Sequence, residues 1–149
     1  MNSSPMNLLL ADDDKDDCIF FREALEELPV ATKLVTVNDG VELMEHLSKK
    51  ETVLPDVLYL DLNMPRKNGM ECLSEIKLDE KFKQLPVIIF STSFNPEIAD
   101  QLHESGARFY IRKPPEFGNL KKIILKSLNL IAEKRNERTT KENFLITWP

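Results

Sequence analysis

Short apolar runs alternate along this chain with stretches whose apolar residues recur at helical spacing, and the alternation repeats until about Ala132. Leu8-Leu9-Leu10-Ala11 is an uninterrupted apolar run closed by carboxylates, which suits a strand buried on both faces of a parallel sheet. From Asp16 the period changes. Cys18, Phe21, Leu25 and Leu28 form one stripe, Arg22, Glu23, Glu26 and Glu27 lie away from it, and Pro29 follows. Leu34 to Val37, Val57 to Leu60, Val87 to Phe90 and Arg108 to Arg112 read as four more strands. Four further helical stripes follow them: Val41, Leu43, Met44 and Leu47 after the turn residues Asn38-Asp39-Gly40; Met70, Leu73 and Ile76; Ile98, Ala99 and Leu102, with Gly106 as C-terminal cap; and Leu120, Ile123, Ile124, Leu128 and Ile131. Strict strand and helix alternation implies parallel strands joined by right-handed crossovers, with helices on both faces. The fold class is α/β.

The chain divides into residues 1–5, expected to be disordered, a domain over 6–132, and a tail over 133–149 that is too short to be a second, output domain. The tail is charged at first and ends in Phe144-Leu145-Ile146-Thr147-Trp148. It could fold back onto the domain, or its apolar tip could bind a second copy, and a homodimer is the expectation carried forward. No apolar run approaches the roughly 20 residues that span a bilayer, and the first residues carry no basic, apolar leader, so the protein is expected to stay in the cytoplasm. Cys18 and Cys72 read as small hydrophobes on inner helix faces. A net charge of -5 without a basic stripe argues against direct nucleic-acid binding.

In a parallel sheet the C-terminal strand ends share one edge, and ligands of open α/β folds bind there. The polar residues converge on that edge: Asp12 and Asp13 after strand one, Asp61 after strand three, Ser91 after strand four and Lys113 after strand five. With strands one and three as neighbours about 4.8 Å apart, the three aspartates crowd together. At about 5 Å and an effective dielectric near 20, each like-charged pair costs roughly 3 kcal/mol, so the group wants a hard divalent cation. Mg²⁺ fits, since it takes oxygen ligands and pairs carboxylates with phosphate. Lys113 adds a positive charge on a long stem. A carboxylate so placed can act as a nucleophile toward phosphorus, and the central Asp61 is the candidate phosphoacceptor, with Lys113 holding a phosphoryl oxygen and the Ser91 hydroxyl donating to another.

The motifs Leu8 to Asp14, Tyr59-Leu60-Asp61-Leu62-Asn63-Met64-Pro65 with Gly69, Pro86 to Ser91, and Lys113-Pro114 resemble those of CheY-like receiver domains over residues 6–132. The resemblance implies a flavodoxin-like, five-stranded parallel sheet of order 2-1-3-4-5. It further implies a phosphorylation switch of two-component signalling, itself not an enzyme with a separate substrate, fed by a sensor histidine kinase. Asp13 would ligate Mg²⁺ directly, Asp12 mainly through water, and Asn63 through its backbone carbonyl. Asp61 would be the phosphoacceptor, Ser91 the switch hydroxyl, Tyr110 the switch aromatic that rotates when Ser91 is drawn inward, and Lys113 the phosphoryl-pairing lysine. The Lys113–Pro114 bond would be cis. Asn63 and Ser93 would influence phosphoryl lifetime. The details around Asn68-Gly69, Phe82 to Pro86, Ser91-Thr92-Ser93 and Pro115-Glu116-Phe117 look most like single-domain regulators associated with bacterial phytochromes, which implies a bacteriophytochrome as kinase and a downstream protein target or phosphotransfer protein.

Other readings are blander or weaker. Asp14, Asp16 and Asp17 can simply begin the first helix, capping amides and favouring its dipole. Asp12, Asp14, Asp16, Ile19 and Glu23 fall at calcium-loop spacing, but Asp17 stands where that loop needs glycine. A haloacid-dehalogenase-like phosphatase would need a second acid where Asn63 stands. His46 and His103 lie on polar helix stretches and read as solvated.

Overall fold

The computed structural model describes residues 5–49, 53–133 and 138–147. Of the expected disordered stretch 1–5, all but Pro5 lies outside the described residues, as does Trp148 at the tip of the tail. Strands and helices alternate as β1 (Met6–Ala11), α1 (Lys15–Glu26), β2 (Thr32–Val37), α2 (Gly40–Ser48), β3 (Val57–Leu60), α3 (Gly69–Leu78), β4 (Val87–Ser91), α4 (Pro96–Glu104), β5 (Phe109–Arg112) and α5 (Phe117–Glu133). A 3₁₀ turn (Lys141–Asn143) and a two-residue strand, β6 (Leu145–Ile146), complete them.

The strands pair in parallel in the order β2-β1-β3-β4-β5-β6. Period-two alternation distributes the apolar residues between two cores. Leu9, Ala11, Leu58 and Leu60 face the side covered by α2, α3 and α4. Leu8, Leu10, Val57 and Tyr59 face α1 and α5. Every residue of β3 and β4 is buried, as continuous apolar runs require when helices cover both faces. Tyr59 is the polar member of its core. It donates to the Ser127 hydroxyl at 2.6 Å, because Ser127 spends its own proton on the Ile124 carbonyl at 2.7 Å. Phe21 and Phe90 pack edge-on against the Tyr59 ring.

Caps set the helix starts. Asp14 accepts from the amides of Asp16 and Asp17, Asp39 accepts from Glu42, and Asn68 forms a reciprocal capping box with Glu71. Asn95 caps α4, with Pro96 at its first position. The α4 helix ends in a Schellman motif, with Ala107 N–H on the Leu102 carbonyl and Gly106 N–H on the His103 carbonyl. Gly106 supplies the left-handed φ of 103° that the motif needs.

Two expectations are corrected here. The sheet has a sixth strand, because the tail folds back along the open edge of β5: the Tyr110 amide donates to the Phe144 carbonyl at 2.9 Å, and Phe144 and Ile146 are buried. Strand edges present unpaired backbone groups, and the tail satisfies those of β5. His103 is not a solvated residue. Its Nε2 lies 2.6 Å from the Thr139 carbonyl, which can only accept, so that nitrogen carries the proton, and its ring packs on Phe144.

Replacing Ser127 by Ala is expected to cost about 1–3 kcal/mol in urea unfolding, since Tyr59 is left with a buried, unpaired hydroxyl, and adding Tyr59→Phe should recover most of it. For the tail, Phe144→Ala should cost less than the roughly 3–5 kcal/mol of a core Phe→Ala change, because the tail can detach without unfolding the domain. Hydrogen exchange would then quicken at the Tyr110 amide and leave the β3 amides slow.

Candidate functional site

Register brings the aspartates together. Ala11 pairs with Leu60, so Asp12 and Asp61 leave adjacent strands side by side. Their backbones are anchored, with Asp61 N–H on the Ala11 carbonyl at 2.9 Å and Asp12 N–H on the Val37 carbonyl at 3.0 Å. Gly69 begins α3 so close to Asp61 that a Cβ there would stand 2.3 Å from the Asp61 carbonyl oxygen. Only glycine permits that approach.

Ligand oxygens of Asp12, Asp13 and Asp61 all lie within 4.8 Å of one another. Asp12 is fully buried and Asp61 is 5% exposed, whereas Asp13 is open to solvent. The Lys113 ammonium enters this group from β5, 2.7 Å from Asp12 Oδ2, 2.8 Å from Asp17 Oδ2 and 3.8 Å from Asp61 Oδ2. It also lies 5.4 Å from the centre of the Phe90 ring. Burial raises the pKa of Asp61 to about 7, with the charge of Asp12 pushing the same way and Lys113 opposing both. Burial likewise raises that of Asp12, against the pull of the neighbouring Lys113. For Lys113 burial works against the charge, but its ion pairs with Asp12 and Asp17 outweigh it and its pKa is raised.

Asp12 Oδ2 has an ion-pair contact with Lys113 whose angles miss those of a hydrogen bond, so that buried oxygen is left without a hydrogen-bond partner. A buried carboxylate oxygen with an ion pair but no hydrogen bond, beside two further carboxylates, fits a hard divalent cation.

The remaining predicted residues stand around this centre. Ser91 is buried at the end of β4, its hydroxyl 3.3 Å from that of Ser93. Asn63 is exposed, and its amide reaches Asp61 Oδ1 at 3.5 Å. Tyr110 is turned inward and buried, its hydroxyl donating to the Ser93 carbonyl, with the Phe94 ring on one contact and Phe144 of the tail on another. Lys113–Pro114 is trans, against the cis bond that the resemblance implied. A prolyl bond favours trans by about 0.5–1 kcal/mol unless its surroundings demand otherwise, and Lys113 reaches its carboxylates from the trans chain. Two contributors escaped the sequence reading. Asp17 was read as a helix-start carboxylate, which its amide bond to Asp14 bears out, yet its side chain also holds Lys113. Asn38, after β2, donates to the Asp12 carbonyl at 3.2 Å.

A parallel α/β sheet with an aspartate trio and a lysine at its C-terminal edge defines a class, and comparison with known proteins agrees. The response regulator receiver domain family matches residues 8–125, and the chain belongs to that family, the phosphorylation switches of two-component signalling, whose general mechanism is phosphorylation of an aspartate. It is 29% identical over 127 residues to the response regulator Rcp1 of Synechocystis sp., covering 83% of this chain and 86% of that one. Among solved structures, the phosphorylated cyanobacterial phytochrome response regulator RcpA superposes with a TM-score of 0.78 at 31% identity, covering 98% of this chain and 99% of that one. The Mn²⁺-bound form of Rcp1 gives 0.74 at 28%, covering 97% and 99%. This family membership replaces the phosphatase and calcium-loop readings. Among the described residues no helix is long and apolar enough to cross a membrane.

The raised pKa of Asp61 has a sign that can be measured. An acid whose pKa is higher in the folded than in the unfolded chain costs stability as pH rises from its unfolded value through its folded one. Between about 3.8 and about 7 the cost grows to at most about 4 kcal/mol. In metal-free buffer at pH 8, Asp61→Asn should therefore unfold at higher denaturant than wild type, with the gap shrinking toward pH 4.

Proposed function

We propose that Asp61 is the phosphoacceptor and receives its phosphoryl group from the phosphohistidine of a sensor kinase. The observation that carries this reading is the convergence of Asp12, Asp13 and Asp61 within 4.8 Å, with the Lys113 ammonium 3.8 Å from Asp61. An Asp61 oxygen attacks phosphorus in line, an O–P bond forms, the N–P bond to the donor imidazole breaks, and the imidazole leaves with that electron pair. Asp12, Asp13, Asp61 and the Asn63 backbone carbonyl are the residues that would hold Mg²⁺, which supplies positive charge against the phosphoryl oxygens. Lys113 neutralises one of those oxygens and the Ser91 hydroxyl donates to another. The group is desolvated by its own burial, so each of these contacts is stronger than it would be in water.

Ser91 and Tyr110 carry the state of the site outward, to the surface formed by α4, β5 and α5, where a downstream protein or phosphotransfer partner would read it. The likeness to RcpA supports a kinase of the phytochrome type. Asn63 and Ser93, beside the phosphoacceptor and the switch hydroxyl, tune phosphoryl lifetime through access of water. Self-association through Phe144 and Ile146 would require exchange of tails between copies, since both are buried against their own domain, whereas Leu145 is exposed.

Intact mass after acetyl phosphate treatment tests the reading. Wild type should gain one phosphate only when Mg²⁺ is present, and Asp61→Asn should gain none. Phosphate on Asp61→Asn at the wild-type level would move the acceptor elsewhere.

A further inference from the structure

Lys113 reaches the site on a side chain that is 9% exposed, its ammonium ion-paired with Asp12 at 2.7 Å and hydrogen-bonded to Asp17 at 2.8 Å. The Asp61 oxygen, at 3.8 Å, is beyond hydrogen-bond reach. The two holders are not alike. Asp12 is fully buried at the end of β1, and its other oxygen is fixed by the Asp14 amide at 3.0 Å. Asp17 sits in the first turn of α1 with its side chain 30% exposed, so it regains hydration on letting go. Its neighbour Asp16 is exposed and makes no ion pair among those seen at this site. A first-turn carboxylate that served only the helix dipole would have no need to reach a lysine 96 positions away in sequence.

We infer that Asp17 is a positioning residue: it holds the Lys113 ammonium off Asp61 and gives it up when Asp61 carries a phosphoryl group. This rests on the assignment of Asp61 and Lys113 above. A phosphoryl group bound to Asp61 competes with the Asp17 carboxylate for the Lys113 N–H it holds, while the ion pair with Asp12 is kept. Asp17 thereby weakens the hold of the site on the phosphoryl group, and its removal should strengthen it.

Beryllofluoride affinity at saturating Mg²⁺, read by fluorine NMR, tests this without the kinetics of transfer. Asp17→Asn, which keeps shape and loses charge, should bind about fivefold tighter than wild type, the scale of one partly screened ion pair. Asp16→Asn, the same charge change one residue away, should shift affinity by less than about twofold, as expected of an exposed charge with no partner at the site. In a Lys113→Gln background the effect of Asp17→Asn should also fall below about twofold, since the competition has lost its object. Unchanged or weaker binding by Asp17→Asn, or equal tightening without Lys113, overturns the inference. If wild type does not bind, or Asp61→Asn binds equally well, the assignment of Asp61 itself fails and the inference goes with it.

Discussion

At the C-terminal edge of the sheet the carboxylates of Asp12, Asp17 and Asp61 meet one ammonium, with that of Asp13 crowded against Asp12 and Asp61. Their mutual repulsion is the constraint the surrounding structure has to meet. At separations near 5 Å each like-charged pair costs roughly 3 kcal/mol even at an effective dielectric of 20. No local preference of the backbone would hold such a group together. It is held because Asp12 and Asp61 follow the buried ends of strands whose register is set by two apolar cores, and a slip of one residue would turn every side chain of β1 to the opposite face. The stability of the cores is thus what permits the unfavourable charge density, and the pKa of Asp61 is raised chiefly because those cores bury it, with the charge of Asp12 adding to the rise.

The loop after β3 shows the same trade at close range. Gly69 and Gly40 are both placed where a Cβ would collide with backbone, 2.3 Å from the Asp61 carbonyl oxygen and 2.1 Å from that of Lys67. Between them Arg66 adopts a left-handed φ of 66°, a conformation an arginine takes only when its surroundings insist. Its guanidinium is gripped by Asp39, through Nε at 3.2 Å and a terminal nitrogen at 2.9 Å. The loop that carries Asn63 is therefore closed by Gly69 N–H on the Leu62 carbonyl and fastened through Arg66 to Asp39, the cap of α2. This pins the surroundings of Asp61 while Asn63 stays exposed.

Much of this was legible in the amino-acid order because it is written locally. Alternating periods define the five βα units, and the polar residue that follows each buried run falls on the shared edge by geometry alone. What escaped depends on long-range geometry. Asp17 has the look of a helix-start residue and is one, and nothing in its spacing says that α1 turns that face toward the end of β5. Asn38 was absorbed into turn chemistry although its amide reaches Asp12. β6 has only two residues and gains its stability from an edge more than thirty positions upstream, so no periodicity could announce it. His103 looked solvated because its partners, Thr139 and Phe144, lie in that same tail.

The tail changes how the far side of the switch must be understood. Tyr110 is bonded at three levels: its amide to the Phe144 carbonyl, its hydroxyl to the Ser93 carbonyl, and its ring edge-on to Phe94 and Phe144. The tail is also fastened to α4, by His103 on Thr139 and by Lys141, 3.3 Å from Asp100. The exposed Lys141 pair contributes little alone, whereas the buried ring of Phe144 and the β6 backbone pairing contribute most of the hold. A swing of the Tyr110 ring therefore exchanges contacts with Phe144 as well as with Ser93. Conversely, whatever lifts the tail removes one wall of the space that keeps the ring inward. Ser91, Ser93, Tyr110 and the tail form a chain of contacts from the aspartate edge to the face of α4 and β5, so a rearrangement of Tyr110 would have to exchange contacts at both ends of it.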